Sequence, residues 1–372
     1  MATHNPFTPT FGTVPAYLAG RQAILENMNQ AFADRYGNPN LSTILIGARG
    51  TGKTALMSCI RDEALEAGWI TASSTALPGM LEDIYEQAAM ASQHLLGQPS
   101  SRQLTSLSLG PVSAGWEHSE VSAQGNWRTR MTLLLDQLAV HDTGLLITVD
   151  EVRADLEELI QLAAFYQHFV TERRQVALVM AGLPYHVHRL VSDRTVSFLR
   201  RSAQYQLGRI PSADVSTALR QTIGSGGKQV EDEAIDLCTR AVEGFAFMLQ
   251  LVGYRTWAEA GEGATITAKH ALRGIRGARL DMEEYILAST SRDLSRGDLR
   301  FVEAMAQDPT ESRLSDVATR MGVSNGYASK YKTRLLAAGV IGERARGIVG
   351  FDIPGFREYA LARKEEQDNK QA

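Results

Sequence analysis

The stretch LSTILIGARGTGKTALM, residues 41–57, decides the fold. Residues 41–46 read as a short buried strand, and GARGTGKT at 47–54 matches the pattern G-x-x-x-x-G-K-[ST] in full. The chemistry requires this spacing. Glycines let successive backbone N–H groups turn inward onto phosphate oxygens, a lysine reaches the β- and γ-phosphates, and a neighbouring hydroxyl can ligate Mg²⁺. Here Gly47, Ala48, Arg49, Gly50, Thr51 and Gly52 form the cradle, with Lys53 and Thr54 as the charged and hydroxyl groups. A bland glycine-rich turn is the alternative; an apolar strand before the loop and a helical stretch at 54–67 after it argue against that reading.

Outward from the loop, residues 23–36 have helical periodicity (Ile24, Leu25, Met28, Ala31, Phe32) and end at Gly37-Asn38-Pro39. Gly68 stops the helix after the loop, 69–74 reads as a second strand, and 80–96 as a helix. Residues 98–126 are rich in Ser and Gly, and LTSLSLGPVSAGW alternates around Gly110-Pro111, which fits a hairpin and a mobile loop equally. A helix at 129–140, a strand at 145–149, a helix at 156–174 and strands at 176–181 and 204–210 follow. Strands separated by helices predict an α/β fold, a three-layer P-loop core with a parallel sheet.

LLITVDE, residues 145–151, is an apolar strand that delivers two carboxylates at its end, where ligands sit in such sheets. Asp150 is the expected second Mg²⁺ holder. Glu151 is placed to orient and polarise an attacking water, since phosphoryl transfer is mostly positioning and electrostatics. Alone, the segment also reads as a buried strand ending in solvated acids.

On these residues the chain resembles the AAA+ ATPases, in particular the group of origin-recognition initiators and the STAND-like prokaryotic ATPases that carry a winged helix. The resemblance covers most of residues 11–360 and implies ATP, ADP and Mg²⁺ as ligands and hydrolysis of ATP to ADP and phosphate. Leu18-Ala19-Gly20-Arg21 resembles the family's element against adenine, which implies Arg21 as a nucleotide contact. Ser197-Phe198-Leu199-Arg200-Arg201 resembles the segment that gives an arginine finger to a neighbouring subunit, which implies a homo-oligomer and points to Arg201 or Arg200; adjacent arginines also read as a solvated pair. Two departures stand out. Residues 181–184 lack the family's polar sensor, with Gln167 as a stand-in, and 242–247 lack Gly-x-Pro-Arg. Binding is left intact, and slow hydrolysis used as a switch suits these departures better than fast turnover.

The all-helical stretch 212–290 reads as a lid, and 294–363 as a winged helix-turn-helix: short helices, Ser312 and Ser324 as caps, then a hairpin over 340–353. From Arg320 to Gly350 there are six Lys or Arg and one acid, a local +5. Asn325, Ser329, Lys330 and Thr333 suit a major groove, with Gly326 beside them. Lys332 and Arg334 suit phosphates, and Arg344 and Arg346 a wing contact, so double-stranded DNA is the expected partner. A winged helix that contacts a protein instead is the alternative, as in a STAND-type signalling or scaffold ATPase.

The remaining observations bound the class. The chain has 372 residues, 44% hydrophobic and 22% charged, with formal net charge −4, so nucleic-acid contact requires a local basic patch. Cys59 and Cys238 make no metal or redox spacing, His186-x-His188 lacks a third ligand, and neither a signal peptide nor an apolar run of membrane length is visible. The expectation is a cytoplasmic prokaryotic protein without membrane contact. Its parts would be a core at 1–211 with an N-terminal lead-in and an insertion at 98–126, a lid at 212–290, a winged helix at 294–363 and a polar tail at 364–372.

Overall fold

The computed structural model describes residues 4–10, 13–96 and 123–371. The core runs α1 (Gln22–Asp34), β1 (Ser42–Ile46), α2 (Lys53–Glu66), β2 (Ile70–Thr75), α3 (Met80–Leu96), α4 (Ala123–Val140), β3 (Leu145–Asp150), α5 (Glu157–Thr171), β4 (Val176–Gly182), α6 (Pro184–Ser192) and β5 (Ala203–Gln206). Its strands form one sheet in the order β2-β3-β4-β1-β5, every pair parallel.

Alternation along the strands sorts side chains onto two faces. Ile44, Ile147 and Leu178 pack with Ile84, Met131, Leu135, Leu159 and Phe169 of α3, α4 and α5. Leu45, Leu146 and Val179 pack with Met28, Phe32, Leu56 and Ile60 of α1 and α2. The expected three layers are therefore present. Hairpin or loop, the segment 98–122 lies outside the described residues, as does Trp116; residues 123–126 open α4.

The helical stretch expected as a lid follows as α7 (Ser212–Ser225), α8 (Asp232–Val242), α9 (Ala246–Ala260) and α10 (Ala268–Asp281), tied by a two-stranded parallel pair, β6 (Gln229–Val230) and β7 (Thr265–Ile266). The N-terminal lead-in, expected with the core, packs against α9. Phe7 is buried where Gly253 of α9 leaves room, for a Cβ there would lie 2.3 Å from its ring. Asn5 Nδ2 donates to the Tyr254 carbonyl at 3.1 Å, and the Gln250 Oε1 accepts from the Thr8 N–H at 3.1 Å.

A π-helical turn, Met282–Leu287, runs into α11 (Ala288–Asp293) and leads to the C-terminal region. There α12 (Arg296–Ala306), β8 (Glu311–Arg313), α13 (Leu314–Met321), α14 (Asn325–Ala337), β9 (Ile341–Ala345) and β10 (Ile348–Phe351) give helices and a hairpin in the expected order. Ser324 caps α14, accepting from the Tyr327 N–H. Ser312 does not cap: it is buried in β8, which pairs with β10, and its hydroxyl donates to the Met305 carbonyl. The expected polar tail continues a helix. Residues 356–371 form α15 (Phe356–Gln371), anchored by buried Phe356 and Ala360. Among the described residues no helix is long and apolar enough to cross a membrane.

Candidate nucleotide-binding site

β1 has β4 on one side and β5 on the other, so the chain's crossovers diverge there, and the crevice at the strands' carboxyl ends is where a ligand fits. The glycine-rich loop fills that position. Gly50 (φ +74°) and Gly52 (φ +86°) take left-handed conformations that a Cβ would resist, and Gly52 starts α2 without a side-chain cap. The first N–H groups of α2 are thereby left for an anion. Gly47 is needed for a different reason: a Cβ there would lie 2.5 Å from the Thr51 Oγ1 and 3.1 Å from the Leu207 carbonyl.

Lys53 is 7% exposed, and its Nζ donates to the Gly47 and Ala48 carbonyls, each at 3.0 Å. Burial lowers its pKa; the Glu151 and Asp150 carboxylates oppose that shift, and Arg49 adds to it. The Thr54 hydroxyl donates to Asp150 Oδ2 at 2.7 Å, so the two groups expected to hold Mg²⁺ converge at the end of β3. A hard oxygen pair beside a phosphate cradle fits that ion.

Glu151 is exposed and adopts φ +55°, a left-handed conformation rare for a residue with a Cβ. Its own N–H donates to Asp150 Oδ1 at 2.8 Å, and it lines the same cavity as Lys53 and Thr54. Arg21 also lines that cavity, and its Nη2 donates to the Gly208 carbonyl at 2.9 Å. Burial lowers its pKa, and Asp214 pulls the other way.

The cavity encloses about 680 Å³, enough for a nucleotide, and its walls come from every part of the chain. The core gives Arg49–Ala55 and Glu151, the lid gives Phe245–Gln250, and the lead-in gives Thr8 and Tyr17. The π-helical turn gives Met282 and Tyr285, and the C-terminal region gives Ile353 and Pro354. Sequence reasoning missed this last group. The Phe247 N–H donates to the Gly50 carbonyl at 3.1 Å, so the lid meets the phosphate loop through an apolar turn where an arginine was sought.

The structure answers the other expectations individually. β4 ends at Gly182, whose Cβ would lie 2.6 Å from Val152, and no polar sensor stands there. Gln167 is no substitute, because it lies exposed near the end of α5 that leads back to the start of β4, away from the loop. His186 and His188 lie on helix α6 rather than a strand, and no metal-binding cluster of three is present among the described residues. Arg200 and Arg201 are both exposed, and Arg200 Nε donates to the Val191 carbonyl.

These features agree with the sequence comparisons. A family model described as AAA ATPase domain matches residues 17–179, and one described as a domain of unknown function (DUF8462) matches residues 284–360. Residues 17–179 form an AAA ATPase domain. Beyond this ATPase core, the fold is similar to that of the Walker-type ATPase PABY2304 of Pyrococcus abyssi, with TM-score 0.61, 12% identity, and coverage of 92% of this chain and 96% of that one. The Aeropyrum pernix ORC2 protein aligns over 96% of this chain and 97% of its own at 12% identity, TM-score 0.48. The RuvB Holliday junction branch migration motor of Thermotoga maritima aligns over 89% and 92% at 16% identity, TM-score 0.44. No curated protein matches the chain in sequence.

The C-terminal cations are less free than the sequence suggests. Arg320 pairs with Asp308, Lys332 with Glu343, Arg334 with Asp298 and Arg344 with Asp352, at 2.6–2.7 Å. Asp308 and Glu343 have lowered pKa values, chiefly through the hydrogen bonds from Arg320 and Lys332. Asn325, Lys330, Thr333 and Arg346 remain exposed, with Ser329 half-buried. The far end of α14 faces the core instead. His186 Nε2 lies 3.1 Å from the Ala337 carbonyl, and a Cβ on Gly339 would lie 3.0 Å from Leu183 and 3.5 Å from Arg49.

Proposed function

We propose that the chain is an ATP-hydrolysing switch in which nucleotide occupancy governs the position of the C-terminal region, a winged helix-turn-helix. The observation that carries this reading is the shared cavity: Ile353 and Pro354 line the same space as Lys53 and Glu151. A ligand that fills the space therefore contacts the core and the C-terminal region together, and differential contact is what shifts a two-state equilibrium.

The chemistry assigned to the residues is simple. Gly47–Thr54 hold the phosphates, Thr54 and Asp150 hold Mg²⁺, Arg21 lies against the base end, and Glu151 polarises the attacking water. Mg²⁺ would neutralise charge on the phosphate oxygens. A missing polar sensor and lid arginine favour slow turnover. Arg201 is the free member of the arginine pair and the better candidate for a finger offered to a second copy.

Double-stranded DNA is the proposed partner, contacted by Asn325, Ser329, Lys330 and Thr333 on α14 and by Arg346 at the hairpin tip. A second reading, a STAND-type signalling or scaffold ATPase, has its own support. Four of the expected DNA-contacting or neighbouring cations are satisfied internally, and α14 ends against α6 and Arg49.

The test compares phosphate release by wild type, Glu151→Gln and Lys53→Ala. Glu151→Gln should bind ATP and release phosphate at least about tenfold more slowly, and Lys53→Ala should lose ATP binding. Equal phosphate release by Glu151→Gln and wild type would remove Glu151 from the reaction.

A further inference from the structure

The pairing of surface charge sets α10 apart. Its inner face packs Ala271, Gly274, Ile275 and Ala278 into the lid, and a Cβ on Gly274 would lie 2.5 Å from the Thr256 backbone. Its outer face carries Lys269, Arg273, Arg276 and Arg279, all exposed. At about 100° and ~1.5 Å per residue, the four lie within an arc of about 120° along about 15 Å of axis. Among the described residues none of the four forms an ion pair. The acid that ends the helix, Asp281, is already held by both prongs of Arg255. Glu283 and Glu284 follow on the π-helical turn and temper only the C-terminal end of the row.

We propose that the outer face of α10 is a docking surface for the phosphate backbone of duplex DNA, separate from the contact suggested for α14. Charge complementarity carries the assignment. In a chain of net charge −4, none of these four cations is held in an ion pair, although Glu231 accepts from the Ala268 N–H beside Lys269, while Arg320, Lys332, Arg334 and Arg344 are each matched by a carboxylate. Three of the four are arginines, whose planar fork meets phosphate oxygens in pairs. The tightly packed inner face fixes the backbone that carries the row, so the ordering cost on binding falls on the side chains alone. Its length matches about four base-pair steps at ~3.4 Å each. The lid also carries α9, whose first turn touches the phosphate loop, so duplex and nucleotide would act on one rigid unit.

The experiment measures binding of the full chain to a fluorescein-labelled duplex across a salt series, with ATP affinity recorded in parallel. The triple variant Arg273→Glu, Arg276→Glu, Arg279→Glu should weaken duplex binding by at least about tenfold at low salt and lower the slope of log K against log salt by about 3. ATP affinity should be unchanged, and lysine at the same three positions should restore the wild-type slope. Lys330→Glu with Arg346→Glu tests the α14 and hairpin contact separately. Should the triple reversal lose ATP binding, the single alanine variants decide, each expected to lower the slope by about 1. A wild-type slope in those variants overturns the proposal, as does wild-type protein that binds phosphatidylserine vesicles and no duplex, or neither.

Discussion

Glu151 shows how much the site asks of a single residue. With φ at +55° it holds a conformation that costs a residue with a Cβ about 1 kcal/mol, while its carboxylate lines the cavity beside Lys53. Glu151→Gly should therefore act in opposite directions on stability and activity. Glycine's greater freedom in the unfolded chain offsets part of that relief, so the melting temperature should rise by no more than about 2 °C while phosphate release falls. A lower melting temperature would mean that the backbone there is not strained. The candidate site residues were legible in sequence because the chemistry proposed for them dictates their spacing: Gly47 to Thr54 is one contiguous loop, and Asp150 and Glu151 end one apolar strand. The left-handed turn at Glu151 was not legible, since nothing in LLITVDE signals a positive φ.

Elements were legible where periodicity is long and apolar, and obscure where partners are distant. Each core strand reads from its own residues, yet the order β2-β3-β4-β1-β5 comes from packing that no single segment encodes. β8 was missed because Glu311-Ser312-Arg313 is short and polar, and it pairs with β10 far along the chain. The helix under the polar stretch 364–372 was not legible because its composition is charged, while the buried residues that anchor α15, Phe356 and Ala360, lie before that stretch. The basic count at 320–350 leaves out distant partners in the same way, because Asp298, Asp308 and Asp352 lie outside that window. Asp298 gives a test at this scale. It is 6% exposed, accepts from the Ser295 N–H and hydroxyl, and takes two bonds from Arg334. Asp298→Ala should cost about 1–3 kcal/mol in urea unfolding, and Arg334→Ala less, because Arg334 is the exposed partner. Equal costs would place the weight on the ion pair rather than on the helix cap.

At the scale of the whole molecule, the cavity is the unit that joins the parts. Core, lid, lead-in and C-terminal region each contribute a wall, and α14 ends where Arg49 leaves the phosphate loop. A nucleotide in this cavity would have contacts to make on both sides of the boundary at once, which is the condition for biasing one arrangement over another. The most direct test is amide hydrogen exchange with and without ATP and Mg²⁺, using Glu151→Gln to hold the bound state. Exchange at residues 336–341 and 353–356 should change on ATP addition, while the buried strands β3 and β4 stay as they were. ATP binding that leaves both C-terminal segments unchanged would contradict the account.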